Sequence, residues 1–309
     1  MTRRQMVAGT MAAGAVRGGT KVNFAVPARA CDCHTHIFGD PKQFPFFAGR
    51  AYTPQPALPA DMKAHLRELQ MERVVIVTPS VYGTDNAATL YGIREMGKGA
   101  RGIAVIDEKT TERELDAMHK GGVRGIRLNL TTAGITDPAQ GRERFQRAAA
   151  RMKSRGWHIQ MNATLGVIAG IRELVMESPV PVVFDHFGGA KAALGVTQPG
   201  FADLVELVRS GKAYVKISGA YRASEKGPDY PDAAPLAQAL IAANAGRIVW
   251  GTDWPHPDSP GPAGRKATEV GAPLPIDDGR LLNQLPVWAP DSTVRKKILV
   301  DNPARLYGF

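Results

Sequence analysis

Cys31-Asp32-Cys33-His34-Thr35-His36-Ile37-Phe38 sets two histidines two residues apart among β-forming neighbours. Side chains alternate faces along a strand, so His34 and His36 point the same way only if this stretch is extended. Alternation predicts Asp32 on their face, deeper in and suited to a structural hydrogen bond, with Cys31, Cys33 and Thr35 opposite. Two imidazoles at one strand end can bind a metal or polarise a carbonyl oxygen. The pair is answered far downstream by His186, in Asp185-His186-Phe187-Gly188-Gly189, and by Asp253, in Gly251-Thr252-Asp253-Trp254-Pro255-His256.

Working outward, short apolar runs alternate with helical stripes. Strands are predicted at 73–80, 102–106, 123–130, 158–162, 180–184, 213–217 and 247–250. Between them lie helices, among them 84–96, 137–155, 165–178, 201–210 and 233–245, with a last one over 293–300. Thr111-Glu112-Arg113-Glu114 is a capping box that opens another. About eight strand–helix units with buried strands predict an α/β fold, a closed (β/α)8 TIM barrel in a single domain. A long aromatic loop, 39–59, follows strand one, and a Pro/Gly-rich insertion follows strand eight. No Gly-x-Gly-x-x-Gly opens any helix, which argues against a nucleotide-binding sheet.

The chain has 309 residues, 44% hydrophobic and 22% charged, an ordinary globular composition without a run long enough to span a membrane. Of the net charge of +10, five cations (Arg3, Arg4, Arg17, Lys21, Arg29) lie in the first 30 residues, which hold no acid; the rest is about +5. No basic run interleaved with aromatics marks a nucleic-acid surface, and the modest excess suits a small anionic substrate. Two cysteines in one strand exclude a disulfide framework. No oligomeric state follows from these residues. Residues 1–30 read as a twin-arginine-type export signal or a disordered basic leader, placing the protein in the periplasm or, without export, the cytoplasm. Residues 31–309 form the barrel domain.

Barrel chemistry collects at the C-terminal strand ends. Those ends offer His34 and His36; Thr78, Ser80 and Tyr82; Arg127 and Asn129; Gln160 and Asn162; Asp185 and His186; Ser218 and Arg222; and Asp253. The His-x-His pair, His186 and Asp253 resemble the amidohydrolase superfamily. Val183 to Gly189, Lys216-Ile217-Ser218-Gly219, Trp250 to Pro257 and the ending Asn302 to Phe309 are similar to its 2-pyrone-4,6-dicarboxylate and sugar-lactone hydrolase branch.

That resemblance implies a lactone hydrolase with Asp253 as general base and His34, His36 and His186, at least one protonated, polarising the carbonyl. Arg127 and Arg222 would grip substrate carboxylates, or else serve as salt bridges at the loop mouth; Ser80, Tyr82 and Tyr52 are lesser contacts. The branch has a second arginine after the strand-four one, where this chain reads Leu128-Asn129-Leu130-Thr131-Thr132, leaving room for a monoacid or sugar-acid lactone. A binuclear centre would need a bridging Lys or Glu on strand four and a His on strand five. This chain has Arg127 and Gln160 there, and His158 begins strand five at the opposite end. The resemblance also implies a branch that works without metal, so no metal or cofactor is expected. The alternative is a mononuclear zinc amidohydrolase or decarboxylase ligated by His34, His36 and Asp253. A third possibility is a non-catalytic barrel binding a cyclic acid. His256 is either an orienter of Asp253 or a loop histidine, and His65 and His119, on helices, are expected to face solvent.

Overall fold

The structure, a computed structural model, describes residues 19–259 and 261–309. The paired arginines Arg3 and Arg4 and the weakly apolar run behind them lie outside the described residues.

Eight parallel strands follow one another in chain order: β1 Cys31–Thr35, β2 Arg73–Val77, β3 Ala100–Ala104, β4 Val123–Asn129, β5 His158–Asn162, β6 Val182–Phe184, β7 Ala213–Ser218 and β8 Ile248–Gly251. Each strand after the first is reached through helix, as a parallel connection requires. The longest of these helices is Pro138–Met152, and Glu112–Lys120 opens on the predicted capping box: Thr111 Oγ1 accepts from the Glu114 amide while Glu114 Oε2 accepts from the Thr111 amide. The predicted helix 165–178 is two short pieces that meet at Ile171, and the last one continues through a π turn to Tyr307.

Beyond Gly251 the chain keeps to the edge of β1. The Asp253 amide donates to the His34 carbonyl (2.8 Å), the His36 amide donates to the Trp254 carbonyl (2.9 Å), and Thr35 bridges Trp254 in parallel. This seam closes the sheet into a barrel. Gly251 allows it: a Cβ there would sit 2.7 Å from the His34 nitrogen and 3.1 Å from Asp32 Oδ1.

Two apolar layers hold the barrel. Ile76, Ile126, Phe184, Ile217 and Trp250 face the helices, while Cys31, Cys33, Val75, Ile103, Val183, Tyr214 and Val249 join Tyr307 in a separate interior cluster. This corrects the face expected for β1. Both cysteines pack inside, and Asp32 turns toward the helix Pro59–Glu68. The β1–β2 ladder slips between Asp32 and Thr35, and an irregularity of that kind re-aims the residues beyond it.

The long loop and the insertion meet over the barrel mouth, where Thr53–Pro54 pairs with Val270–Gly271 and Thr53 Oγ1 donates to the Ala267 carbonyl (2.7 Å). Residues 19–30, set apart from the barrel in the sequence, lie against it. Val22, Phe24 and Val26 are part-buried, and Thr20 is bound by Asp277 through its amide and hydroxyl. Among the described residues no helix is long and apolar enough to cross a membrane.

The seam generates a prediction. Gly251→Ala forces β8 away from His34 and should cost about 1–3 kcal/mol, as overpacking does elsewhere, with a matching loss in chemical denaturation.

Candidate active site

The seam brings the expected site residues together. Pairing with β1 holds Asp253 at φ +70°, and its Oδ1 lies 3.5 Å from His34 Nε2, 3.3 Å from His36 Nε2 and 3.9 Å from His186 Nε2. All four side chains are buried. Oδ2 accepts from the Tyr221 hydroxyl (2.6 Å) and from Arg222 Nε. Burial alone would raise the Asp253 pKa; Arg222, with His186, His36 and His34 beside it, outweighs burial and holds the carboxyl well below its usual range.

A second charged layer lies beneath the histidines. Asp185 Oδ1 is 3.2 Å from His34 Nδ1, and Oδ2 accepts from Arg127 Nε (3.0 Å) and Gln160 Nε2 (3.1 Å). Lys216, completely buried, donates to the Cys33 carbonyl (2.8 Å) and Gln160 Oε1 (2.7 Å), and its ammonium is 3.6 Å from Asp185 Oδ1. Burial would raise the Asp185 pKa, but His34, Arg127 and Lys216 together hold it well below the carboxylate range.

Burial also pushes the His34 pKa well down and that of His186 to about 4, so both are neutral near pH 7. The expected imidazolium is therefore neither of these two. His36 Nδ1 is 2.7 Å from the Val77 carbonyl, which can only accept; Nδ1 carries the hydrogen, and the Nε2 of a neutral His36 presents a lone pair to Asp253. His34 Nε2 and Asp253 Oδ1 have no hydrogen-bond partner. Unpartnered acceptors gathered around a carboxylate oxygen call for a positive centre, either a proton or a cation.

The donor set fits a single ion. Tetrahedral zinc with bonds of about 2.0–2.1 Å has ligand–ligand edges of about 3.3 Å, close to the 3.3 and 3.5 Å that separate Asp253 Oδ1 from the two Nε2 atoms. His34, Asp185 and His186 also gather donor atoms, but the Lys216 ammonium, 3.4 Å from His34 Nδ1, and Arg127 on Asp185 supply the positive charge there.

A cavity of about 450 Å³ opens over His36, His186 and Asp253, with His34 buried behind them. Of the residues expected at the site, Tyr52, Ser80, Arg127 and Arg222 line it together with His36, His186 and Asp253. Tyr82 does not. Ser80–Tyr82 is a 3-10 turn rather than strand, and it carries Tyr82 into a cluster with Phe38, Phe44 and Phe46, where its oxygen accepts from the Gly39 amide (3.0 Å). Arg222 sits on the short helix Ala220–Ala223, so it arrives beside Asp253 by a turn and not by strand parity. Tyr221, Lys191 and Lys216 had no role assigned from the sequence. A lysine in the apolar run Tyr214-Val215-Lys216-Ile217 was the available signal for the last.

His65 does not face solvent. It is 7% exposed, stacked on Trp254 (5.5 Å between ring centres), with Nε2 3.4 Å from Asp32 Oδ2 and Nδ1 3.4 Å from Asp278 Oδ2. Asp278 also binds His256 Nε2 (3.0 Å), which makes His256 a partner of the insertion. Asp32 in turn accepts from the His34 and Thr252 amides (3.1 Å each). His119 is exposed, yet its Nδ1 accepts from Trp157 Nε1 (2.9 Å).

The model of the family described as Amidohydrolase matches residues 31–309. The chain belongs to the amidohydrolase family. It is 35% identical over 290 residues to a 4-sulfomuconolactone hydrolase of Rhizobium radiobacter, covering 93% of this chain and 92% of that one. It is 32% identical over 297 residues to a 2-pyrone-4,6-dicarboxylate hydrolase of Comamonas testosteroni, covering 93% of each. A crystal structure from Acinetobacter baumannii with citric acid bound is similar at a TM-score of 0.74 and 26% identity, over 91% of this chain and 100% of that one.

The buried His65 yields a pH prediction. Burial pulls its pKa down, but Asp278 and Asp32 outweigh burial and leave it raised. A histidine with a raised folded pKa contributes fully below the unfolded value of about 6.5, and that contribution is lost as pH rises through the folded value. His65→Gln should cost about 2–3 kcal/mol at pH 6 and distinctly less at pH 9, read by urea denaturation at both.

Proposed function

We propose that this chain opens the ring of a small carboxylated lactone by hydrolysis, at a centre formed by Asp253, His34, His36 and His186. As a member of the amidohydrolase family with lactone-hydrolysing relatives, it is a hydrolase acting on ester bonds. The observation that carries the reading is the unpartnered Asp253 Oδ1, facing three Nε2 atoms at the floor of a cavity lined by cations.

Arg222 and Tyr221 occupy Oδ2 and fix the carboxylate plane, leaving Oδ1 to take a proton from water. The depressed pKa keeps Asp253 ionised at neutral pH, ready to accept. Attack on the ring carbonyl builds negative charge on its oxygen, and the imidazole edge is the nearest group to meet it. Departure of the ring oxygen needs a proton, and Asp253 holds the one it has taken. Arg127 and Arg222 each use Nε on a carboxylate of the protein; their terminal nitrogens have no side-chain partner among the described residues and suit a substrate carboxylate. The relatives bear names of a dicarboxylate and of a sulfonated lactone substrate, and the structural neighbour holds citric acid. Ring acids of that kind are the substrates proposed here.

The first reading takes no metal. Polarisation then needs an imidazole with hydrogens on both nitrogens, and His36, anchored at Nδ1 by the Val77 carbonyl, is placed to be that group against Asp253. A second reading is favoured by the zinc-like spacing: His34, His36 and Asp253 would hold one ion, which when bound supplies Lewis acidity toward the carbonyl and acidifies water. In both, the chain's own residues keep the same places.

Asp253→Asn should abolish lactone opening, by at least about a thousandfold in kcat, with an unchanged circular-dichroism spectrum. Retention of turnover would reject the role of Asp253. Elemental analysis of purified enzyme, with activity before and after exhaustive chelation, separates the readings. Full activity without bound ion supports the first; about one zinc per chain, with loss on removal and recovery on return, supports the second.

A further inference from the structure

Three cations line the cavity, Arg127, Lys191 and Arg222, against one carboxylate, Asp253. Two of them are committed: Arg127 to Asp185 and Arg222 to Asp253. Lys191 is not. Among the described residues no carboxylate lies within ion-pair distance of its ammonium, which donates to the Arg222 carbonyl at 2.9 Å.

The Lys191 backbone is held on both sides. Its amide donates to Gln198 Oε1 and its carbonyl accepts from Gln198 Nε2, both at 2.9 Å, and Gln198 is itself buried. The approach to it is made by Gly188 and Gly189 at φ +66° and +76°, where a Cβ on Gly189 would lie 2.5 Å from the Ala163 carbonyl. A flexible cation on a fixed backbone, without a counter-ion, therefore stands at the rim of a cavity where lysine and arginine outnumber carboxylate by 3 − 1 = 2.

We infer that Lys191 is a specificity-determining residue, which takes a second anionic group of the substrate, on the far side of the ring from the ester at Asp253. The inference rests on the hydrolase reading for the identity of the ring, and it adds what that reading leaves open: the residue that selects the second negative group. Such a residue acts on substrate binding. It touches no reacting bond, so its loss appears in KM rather than in kcat.

Lys191 also anchors the Arg222 carbonyl, so the test must separate charge from anchoring. Lys191→Gln keeps a donor without the charge, and Lys191→Arg keeps the charge. The probes are isophthalate and benzoate, planar rings with two carboxylates and one, titrated calorimetrically into the full-length protein. Wild type should bind isophthalate more tightly than benzoate by about tenfold, the worth of one charged hydrogen bond. Lys191→Gln should remove that preference with benzoate unaffected, and Lys191→Arg should restore it. Equal weakening of both ligands, or no preference in wild type, overturns the inference. On a lactone that wild type hydrolyses, Lys191→Gln should raise KM about tenfold with little change in kcat; a fall in kcat with KM unchanged makes Lys191 an anchor for Arg222 only. If wild type opens no lactone, the hydrolase reading fails, and the ring-acid titrations still decide the role of Lys191.

Discussion

The hydrogen bonds between the edge of β1 and the chain just past β8 hold this molecule together in two senses. They close the barrel, and they set Asp253 against His34 and His36. The separation in sequence between these residues is nearly the whole domain, so no local preference can bring them into contact. A parallel barrel does so because its first and last strands must become neighbours. Gly251, without a side chain, lets the backbones approach closely enough for that contact.

Around the seam the charges are arranged in layers. Asp185 is buried with Arg127, Gln160 and Lys216 on its oxygens and His34 above it. Buried ions are tolerated only when partnered, and here each has a partner within reach. His34 links the layers, with Nδ1 toward Asp185 and Nε2 toward Asp253. On the outer side, Asp32 binds the backbone of the seam and, through His65, the insertion residue Asp278. Among the atoms without a hydrogen-bond partner, His34 Nε2 and Asp253 Oδ1 lie 3.5 Å apart, and Asp253 lines the cavity. Buried polar atoms are usually paired, so these two are candidates for contact with water or substrate.

Much of this was legible in the residues. Short apolar runs separated by helical stripes specify buried parallel strands, and all eight lie where the pattern puts them, to within a few residues. What failed was alternation carried past its domain. It assumed a regular ladder at Asp32, where the register slips, and it ran on into Ser80–Tyr82 and Ala220–Ala223, where the backbone is already helical. His65 was misplaced for a related reason: a polar residue on an amphipathic helix reads as surface until the carboxylates that bury it are known.

The sequence alone determined the order of the elements, the barrel they build, and the histidines and aspartate that its strand ends present. Those follow from periodicity and from residue types whose chemistry is local. Only the tertiary structure decided which nitrogen of each imidazole faces Asp253, that Lys216 is buried beneath His34, that Arg222 is spent on the carboxylate it neighbours, and that Lys191 stands uncommitted at the rim. These are questions of distance and solvent exclusion between residues remote in the chain. Side-chain charge, tautomer and accessibility are set by such neighbours, and a linear pattern does not contain them.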